Sequence, residues 1–169
     1  MASIQDPNPV IFMEPKVLYR SARTLLTFHD FFLDTECLCA VEQVPIESYT
    51  LPLSRAVVLV PGSDITVVTW GTPVYTAHNA LSILSSPPPS LESLIPKSLR
   101  GASVELIDLR TILPWDVDTV IESVKKTGRC AVIHEAGTTG GVGGEIAATV
   151  QKRCFERLEA PVRRICGWE

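Results

Sequence analysis

From residue 65 onward, short β-branched runs alternate with stretches in which apolar residues recur every three or four positions. Ile65-Thr66-Val67-Val68-Thr69-Trp70 is a strand by composition. Gly71-Thr72-Pro73 ends it, and Val74, Ala77, Leu81 and Leu84 then share one helical face. Residues 85–98 carry Pro87, Pro88, Pro89 and Pro96 and predict a surface excursion. Val104-Glu105-Leu106-Ile107-Asp108-Leu109 is a second strand. Asp116 is placed to N-cap a helix whose apolar face is Val117, Val120, Ile121 and Val124. Lys125 and Lys126 near its end and Gly128 just past it suit the helix dipole and the C-cap. Cys130-Ala131-Val132-Ile133 is a third strand. A glycine-rich turn over residues 137–144 opens a helix through residues 145–158, with Ile146, Ala147, Val150, Cys154 and Leu158 facing inward. Pro161 breaks the chain, and residues 162–166 form a fourth strand.

This alternation is βαβ grammar. It predicts an α/β fold of three layers, a mainly parallel sheet with helices on both faces and right-handed crossovers. Ligands and partners of such sheets meet the loops at the carboxyl ends of the strands. Here those loops are residues 71–74, 110–116 and 134–144. The first third of the chain is less regular. Val10-Ile11-Phe12-Met13 reads as a short buried strand with a proline-marked exit. The apolar residues of segment 23–39 fit neither period, and Pro45 and Pro52 mark residues 45–54 as extended linker. Pro61-Gly62-Ser63-Asp64 is a turn.

Composition narrows the class. The 169 residues are 46% hydrophobic and 20% charged, enough to bury a core. A net charge of −4 provides no basic face for nucleic acid. No apolar run is long enough to span a bilayer, and residues 1–9 have neither an apolar signal core nor a basic amphipathic pattern. The five cysteines (Cys37, Cys39, Cys130, Cys154 and Cys166) lack zinc spacing and read as free thiols.

The chemistry-bearing candidates lie at the predicted strand ends. His134-Glu135 beside the glycine run is an acid/base pair or a polar pair fixing a loop. Adjacent residues of extended chain point opposite ways, so the two need not touch. The glycine run could cradle a phosphate at a helix N-terminus, or let the helix pack tightly on the sheet. It is not a Walker loop, because no Lys-Ser/Thr follows its last glycine. Asp108 and Arg110 flank a strand end as an ion pair at an interface or in solvent. Trp70, Trp115 and Trp168 read as packing anchors, and His78 and His29 have no assigned role. No nucleophile triad assembles, so these residues alone define a polar strand-end surface and no reaction.

Several strings resemble one family. Asn8-Pro9-Val10-Ile11-Phe12-Met13-Glu14-Pro15-Lys16-Val17-Leu18-Tyr19-Arg20 is similar to the end of the pyrimidine-binding domain in beta subunits of 2-oxo-acid dehydrogenases. Val44-Pro45-Ile46-Glu47-Ser48-Tyr49 and Leu51-Pro52-Leu53 resemble the following linker. Gly62-Ser63-Asp64-Ile65-Thr66-Val67-Val68-Thr69-Trp70-Gly71 resembles the opening of the transketolase C-terminal domain. The most specific match runs from Val104 through Arg110-Thr111-Ile112-Leu113-Pro114-Trp115-Asp116, whose ending points to the branched-chain branch. Lys126-Thr127-Gly128-Arg129, His134-Glu135-Ala136, Leu158-Glu159-Ala160-Pro161-Val162 and Cys166-Gly167-Trp168 continue in order.

The resemblance implies a transketolase C-terminal-like domain over residues 61–169, preceded by a remnant of the pyrimidine-binding domain at 1–22 and an atypical insert and linker at 23–60. It implies a chain shortened at both ends, with residues 23–39 interrupting an otherwise continuous stretch. Such beta subunits pair with alpha subunits as α2β2 and use thiamine diphosphate and magnesium. The assembly decarboxylates branched-chain 2-oxo acids and passes the acyl group to a lipoyl transacylase core. This is 3-methyl-2-oxobutanoate dehydrogenase (2-methylpropanoyl-transferring) activity, in the mitochondrial matrix. The cofactor residues of that family lie before Asn8, so no catalytic, cofactor or metal residue is carried over. This chain alone is expected to bind no cofactor and to be inactive. The candidate interface or docking residues are Arg110, Pro114, Trp115, Asp116, His134 and Glu135. The alternatives are a free-standing protein-docking module and a small nucleotide-binding α/β protein using residues 137–144.

Overall fold

The computed structural model describes residues 1–17 and 46–168. Segment 23–39, with His29, Cys37 and Cys39, lies outside the described residues. The chain divides into two compact units, residues 1–53 and 54–169. In the first, a single helical turn, α1 (Ala2–Gln5), buries none of its residues. Val10, Ile11, Phe12 and Met13 form no strand and are exposed, against the expectation of a buried strand. A strand needs a neighbour for its backbone groups, and none of the described residues pairs with this run.

The second unit holds β1 (Val57–Val60), β2 (Ile65–Thr69), α2 (Pro73–Ser85), a short 3₁₀ turn (Lys97–Leu99), β3 (Val104–Asp108), α3 (Val117–Thr127), β4 (Cys130–Gly137), α4 (Val142–Cys154) and β5 (Arg163–Gly167). The five strands form one sheet in the order β1-β3-β2-β4-β5. The β2–β3, β2–β4 and β4–β5 pairs are parallel, and β1 runs antiparallel along β3. The α/β expectation therefore stands, with one strand more than the periodicity gave. Val57–Val60 falls in the stretch assigned to linker, yet it pairs with β3 as an edge strand. Four apolar residues between two prolines have no period from which to read a strand.

Alternation along the strands sorts the core. Val68, Ile107, Leu109 and Val132 meet Val120, Ile121 and Val124 of α3 and Ile146, Val150 and Cys154 of α4 in one buried cluster. Each such side chain contributes about 1.5–3 kcal/mol by leaving water. Thr66 faces the same helices, with its hydroxyl 2.6 Å from Ser123 Oγ and 2.8 Å from Thr127 Oγ1. The opposite face carries α2, packed on β2, β3 and β4 with Ala77 as its buried residue. The α3 caps are as the sequence implies: Asp116 accepts from the Thr119 N–H, and Gly128 closes the helix at φ 70°. Helix α4 begins at Val142 and ends at Cys154, earlier at both ends than its apolar spacing implied; Leu158 still packs on the core from beyond it.

Candidate functional site

The carboxyl ends of β2, β3 and β4 carry the loops singled out above. After β3 the chain turns over one residue. Arg110 has a φ of 60°, unusual for a residue with a side chain, and the Thr111 N–H donates to the Leu109 carbonyl across it. Asp108 holds this turn. Its Oδ1 accepts the Arg110 N–H at 3.1 Å, and its Oδ2 lies 3.6 Å from Arg110 Nε. Burial raises the Asp108 carboxyl above its ordinary value, against the opposing pull of Arg110. Thus Asp108 and Arg110 bind each other within the loop.

Leu113-Pro114 follows through a cis peptide bond. Leu113 is 88% exposed, and Pro114 is exposed beside it. Trp115 turns back and packs against the core. Asp116 is buried, with every bond directed inward. Its Oδ2 accepts the Ala56 N–H at 3.0 Å and the Thr119 hydroxyl at 2.9 Å, and its Oδ1 accepts the Thr119 N–H at 3.2 Å. Burial alone would raise this carboxyl; those donors and Arg55 hold it below the usual range. Asp116 therefore ties the chain before β1 to the start of α3 and offers no free group to a partner.

His134 and Glu135 lie within β4, which continues to Gly137 because β5 runs beside it as far as Gly167. They were expected just past a strand ending at Ile133. The strand separates them: His134 is 3% exposed, while Glu135 is exposed. The imidazole stacks on Trp70 with ring centroids 5.6 Å apart and planes 5° from parallel. Neither ring nitrogen has a hydrogen-bond partner among the described residues. The glycine run is shaped around this ring. A Cβ on Gly143 would fall 2.2 Å from His134 Nε2, and one on Gly141 2.8 Å from Cε1. Those glycines let the first turn of α4 close on the histidine, the packing role weighed against the phosphate cradle.

Of the six candidate residues, Arg110, Pro114 and Glu135 are exposed, Trp115 is half-buried, and Asp116 and His134 are buried. Helix capping and strand alternation turn the last two inward. Sequence reasoning missed Leu113 as the most exposed point of the loop, and Trp168, exposed just past β5. It also missed an ion pair between buried Glu105 and half-exposed Lys126. Burial alone would raise Glu105; Lys126, Ser123 and the Gly62 N–H together hold it low. The signal was an acid in the middle of an apolar strand. Cys130 and Cys154 are buried free thiols, with burial pushing Cys130 up to about 12. Cys166 is a half-buried free thiol. Among the described residues, no group of three or more His, Cys, Asp or Glu could hold a metal, and no helix is long and apolar enough to cross a membrane.

The strand order, the parallel pairings and the helices on two faces define an α/β domain of the doubly wound kind. Residues 54–169 match the family "Transketolase, C-terminal domain", and the chain belongs to it. Among curated proteins, it is similar to the 2-oxoisovalerate dehydrogenase subunit beta, mitochondrial, of Dictyostelium discoideum. That match is 46% identical over 169 residues, 100% of this chain and 38% of the relative. It is equally similar to the mitochondrial subunit beta 2 of Arabidopsis thaliana, at 46% over 99% of this chain and 38% of the relative. Among solved structures it resembles a "split gene transketolase, inactive beta4 tetramer". The TM-score is 0.53 and the identity 23%, covering 76% of this chain and 37% of that one, a likeness of fold. The chain thus spans about two fifths of the length of those curated relatives.

Proposed function

We propose that this chain is the C-terminal part of the beta subunit of a branched-chain 2-oxo-acid dehydrogenase. The observation that carries this reading is the 46% identity to 2-oxoisovalerate dehydrogenase beta subunits along all 169 residues. In this reading residues 1–22 correspond to the end of the pyrimidine-binding domain, and residues 23–39 are an insertion. The complete assembly, α2β2 in the mitochondrial matrix, decarboxylates branched-chain 2-oxo acids with thiamine diphosphate and magnesium. It then passes the acyl group to a lipoyl transacylase. The mitochondrial names of both relatives support the location.

Among the described residues no group of three or more His, Cys, Asp or Glu could hold magnesium, and His134 packs against Gly141 and Gly143 of the glycine run. In this reading the chain's part is assembly, and no chemical step is assigned to it. The surface offered for it is the exposed loop of Arg110, Leu113 and Pro114, with Glu135 and Trp168. Exposed apolar groups such as Leu113 and Trp168 also favour the second reading, a free-standing docking module. The glycine run favours packing over nucleotide binding, because closeness to His134 accounts for Gly141 and Gly143.

Three measurements test the reading and its alternatives. The purified chain, given thiamine diphosphate, magnesium and 3-methyl-2-oxobutanoate, is expected to show no turnover; turnover by the isolated chain overturns it. Tagged chain is expected to retain an alpha subunit in a pull-down, and failure to retain either alpha subunit or transacylase counts against an assembly role. Titration with ATP or NAD is expected to give no heat.

A further inference from the structure

His134 occupies a narrow buried slot. Trp70, just past β2, covers one face, Gly141 and Gly143 close on the ring from the start of α4, and Arg164 of β5 stands beside it. Arg164 also ties β5 to the turn, donating from Nη1 to the Thr138 carbonyl at 2.8 Å. The ring's two nitrogens are enclosed and unpartnered among the described residues. A neutral imidazole already leaves one N–H unmet there. A protonated ring would leave two N–H groups and a full charge unmet, in a site where the neighbouring charge is positive.

The surrounding ionisable groups offer no relief. On β4, Glu135 is exposed beyond the slot. On α4, Glu145 is exposed and accepts the Thr149 hydroxyl at 3.4 Å. On β5 the facing group is the Arg164 cation, and the residue after β2 presents the Trp70 ring. At the start of α3, Asp116 is committed to Ala56 and Thr119.

We propose that His134 is an acid-released latch: when its ring takes up a proton it leaves the slot beneath Gly143, and the turn over residues 137–144 and the first turn of α4 open. The opening lies at the carboxyl end of β4, beside exposed Glu135, so it remodels the same strand-end surface. Burial and Arg164 hold the imidazole below its ordinary value. The sign follows. A base that binds protons less well when closed favours closure above its free pKa, about 6.5, and loses that advantage as pH falls. Below that value the open population rises about tenfold per pH unit, until the closed form itself titrates.

The test is amide hydrogen exchange by mass spectrometry on the full 169-residue chain at pH 7.5 and 5.5, with rates corrected for intrinsic chemistry. Protection over residues 138–146 is expected to fall about tenfold at pH 5.5, with β3 and α3 unchanged. Unchanged protection in 138–146, or an equal fall everywhere, overturns the proposal. The variant His134→Phe, which fills the slot without titrating, is expected to show the same protection at both pH values; a fall that persists in it also overturns the proposal. Because that variant can fail to fold, the His134 Cε1–H resonance is titrated in the unaltered chain and assigned through its contact with Trp70. A midpoint below 6.5 supports the latch, and one at or above 6.5 sinks it.

Discussion

Gly143 stands so close to His134 that the first carbon of any side chain placed there would fall 2.2 Å from the imidazole Nε2. Two effects compete in Gly143→Ala. Alanine favours the helix by about 1 kcal/mol over glycine. Forcing a carbon into a filled core costs about 1–3 kcal/mol. The ring is buried and stacked on Trp70, so a net loss of about 1–2 kcal/mol is expected in urea unfolding. In a His134→Ala background the same change should be neutral or favourable, a coupling that a double-mutant cycle reads directly. Additive effects would show that the two residues do not share one space.

Asp116 predicts a large cost for a small change. Asp116→Ala removes the cap of α3 and leaves the Ala56 N–H without its acceptor. A lost cap costs about 1 kcal/mol and a part-buried unmet donor about 1–2, so about 2–3 kcal/mol is expected. Asp116→Asn, which keeps an acceptor, should recover at least half. Equal losses in both variants would mean that the charge, and not the acceptor geometry, matters.

The turn at Arg110 separates strain from pairing. Its left-handed backbone costs a side-chain-bearing residue about 1 kcal/mol that glycine avoids. Arg110→Gly should therefore be more stable than Arg110→Ala by about 1 kcal/mol, since both lose the Asp108 pair equally. Indistinguishable midpoints would remove the strain from the account.

Lys126→Met tests the buried acid through pH. In the parent, Lys126, Ser123 and Gly62 hold Glu105 low, so its contribution is present above the ordinary carboxylate range and is lost as pH falls through its lowered value. Without Lys126, burial has less opposition and the carboxyl rises. The deficit should be largest near pH 7, about 1 kcal/mol because Lys126 is half exposed, and should shrink toward zero below pH about 4. A deficit independent of pH would point to lost packing of the lysine stem.

The sequence by itself determined the elements whose patterns are local. β2, β3 and α3 follow from β-branched runs, a capping aspartate and a terminal glycine, features that act within a few residues of where they stand. The family strings belong with these, because they too are read in order along the chain. What only the tertiary structure decided is what depends on neighbours distant in sequence. Val57–Val60 is a strand because β3 offers it an edge. Val10–Met13, just as apolar, finds no partner among the described residues and forms none. His134 and Glu135, adjacent in the chain, are divided by the strand that carries them, one under a helix and one toward solvent. The glycines at 141 and 143 read from sequence as a packing turn, with a phosphate cradle as the alternative. The choice fell to the ring beneath them, because a missing Cβ states only that space is scarce and the fold decides what fills it.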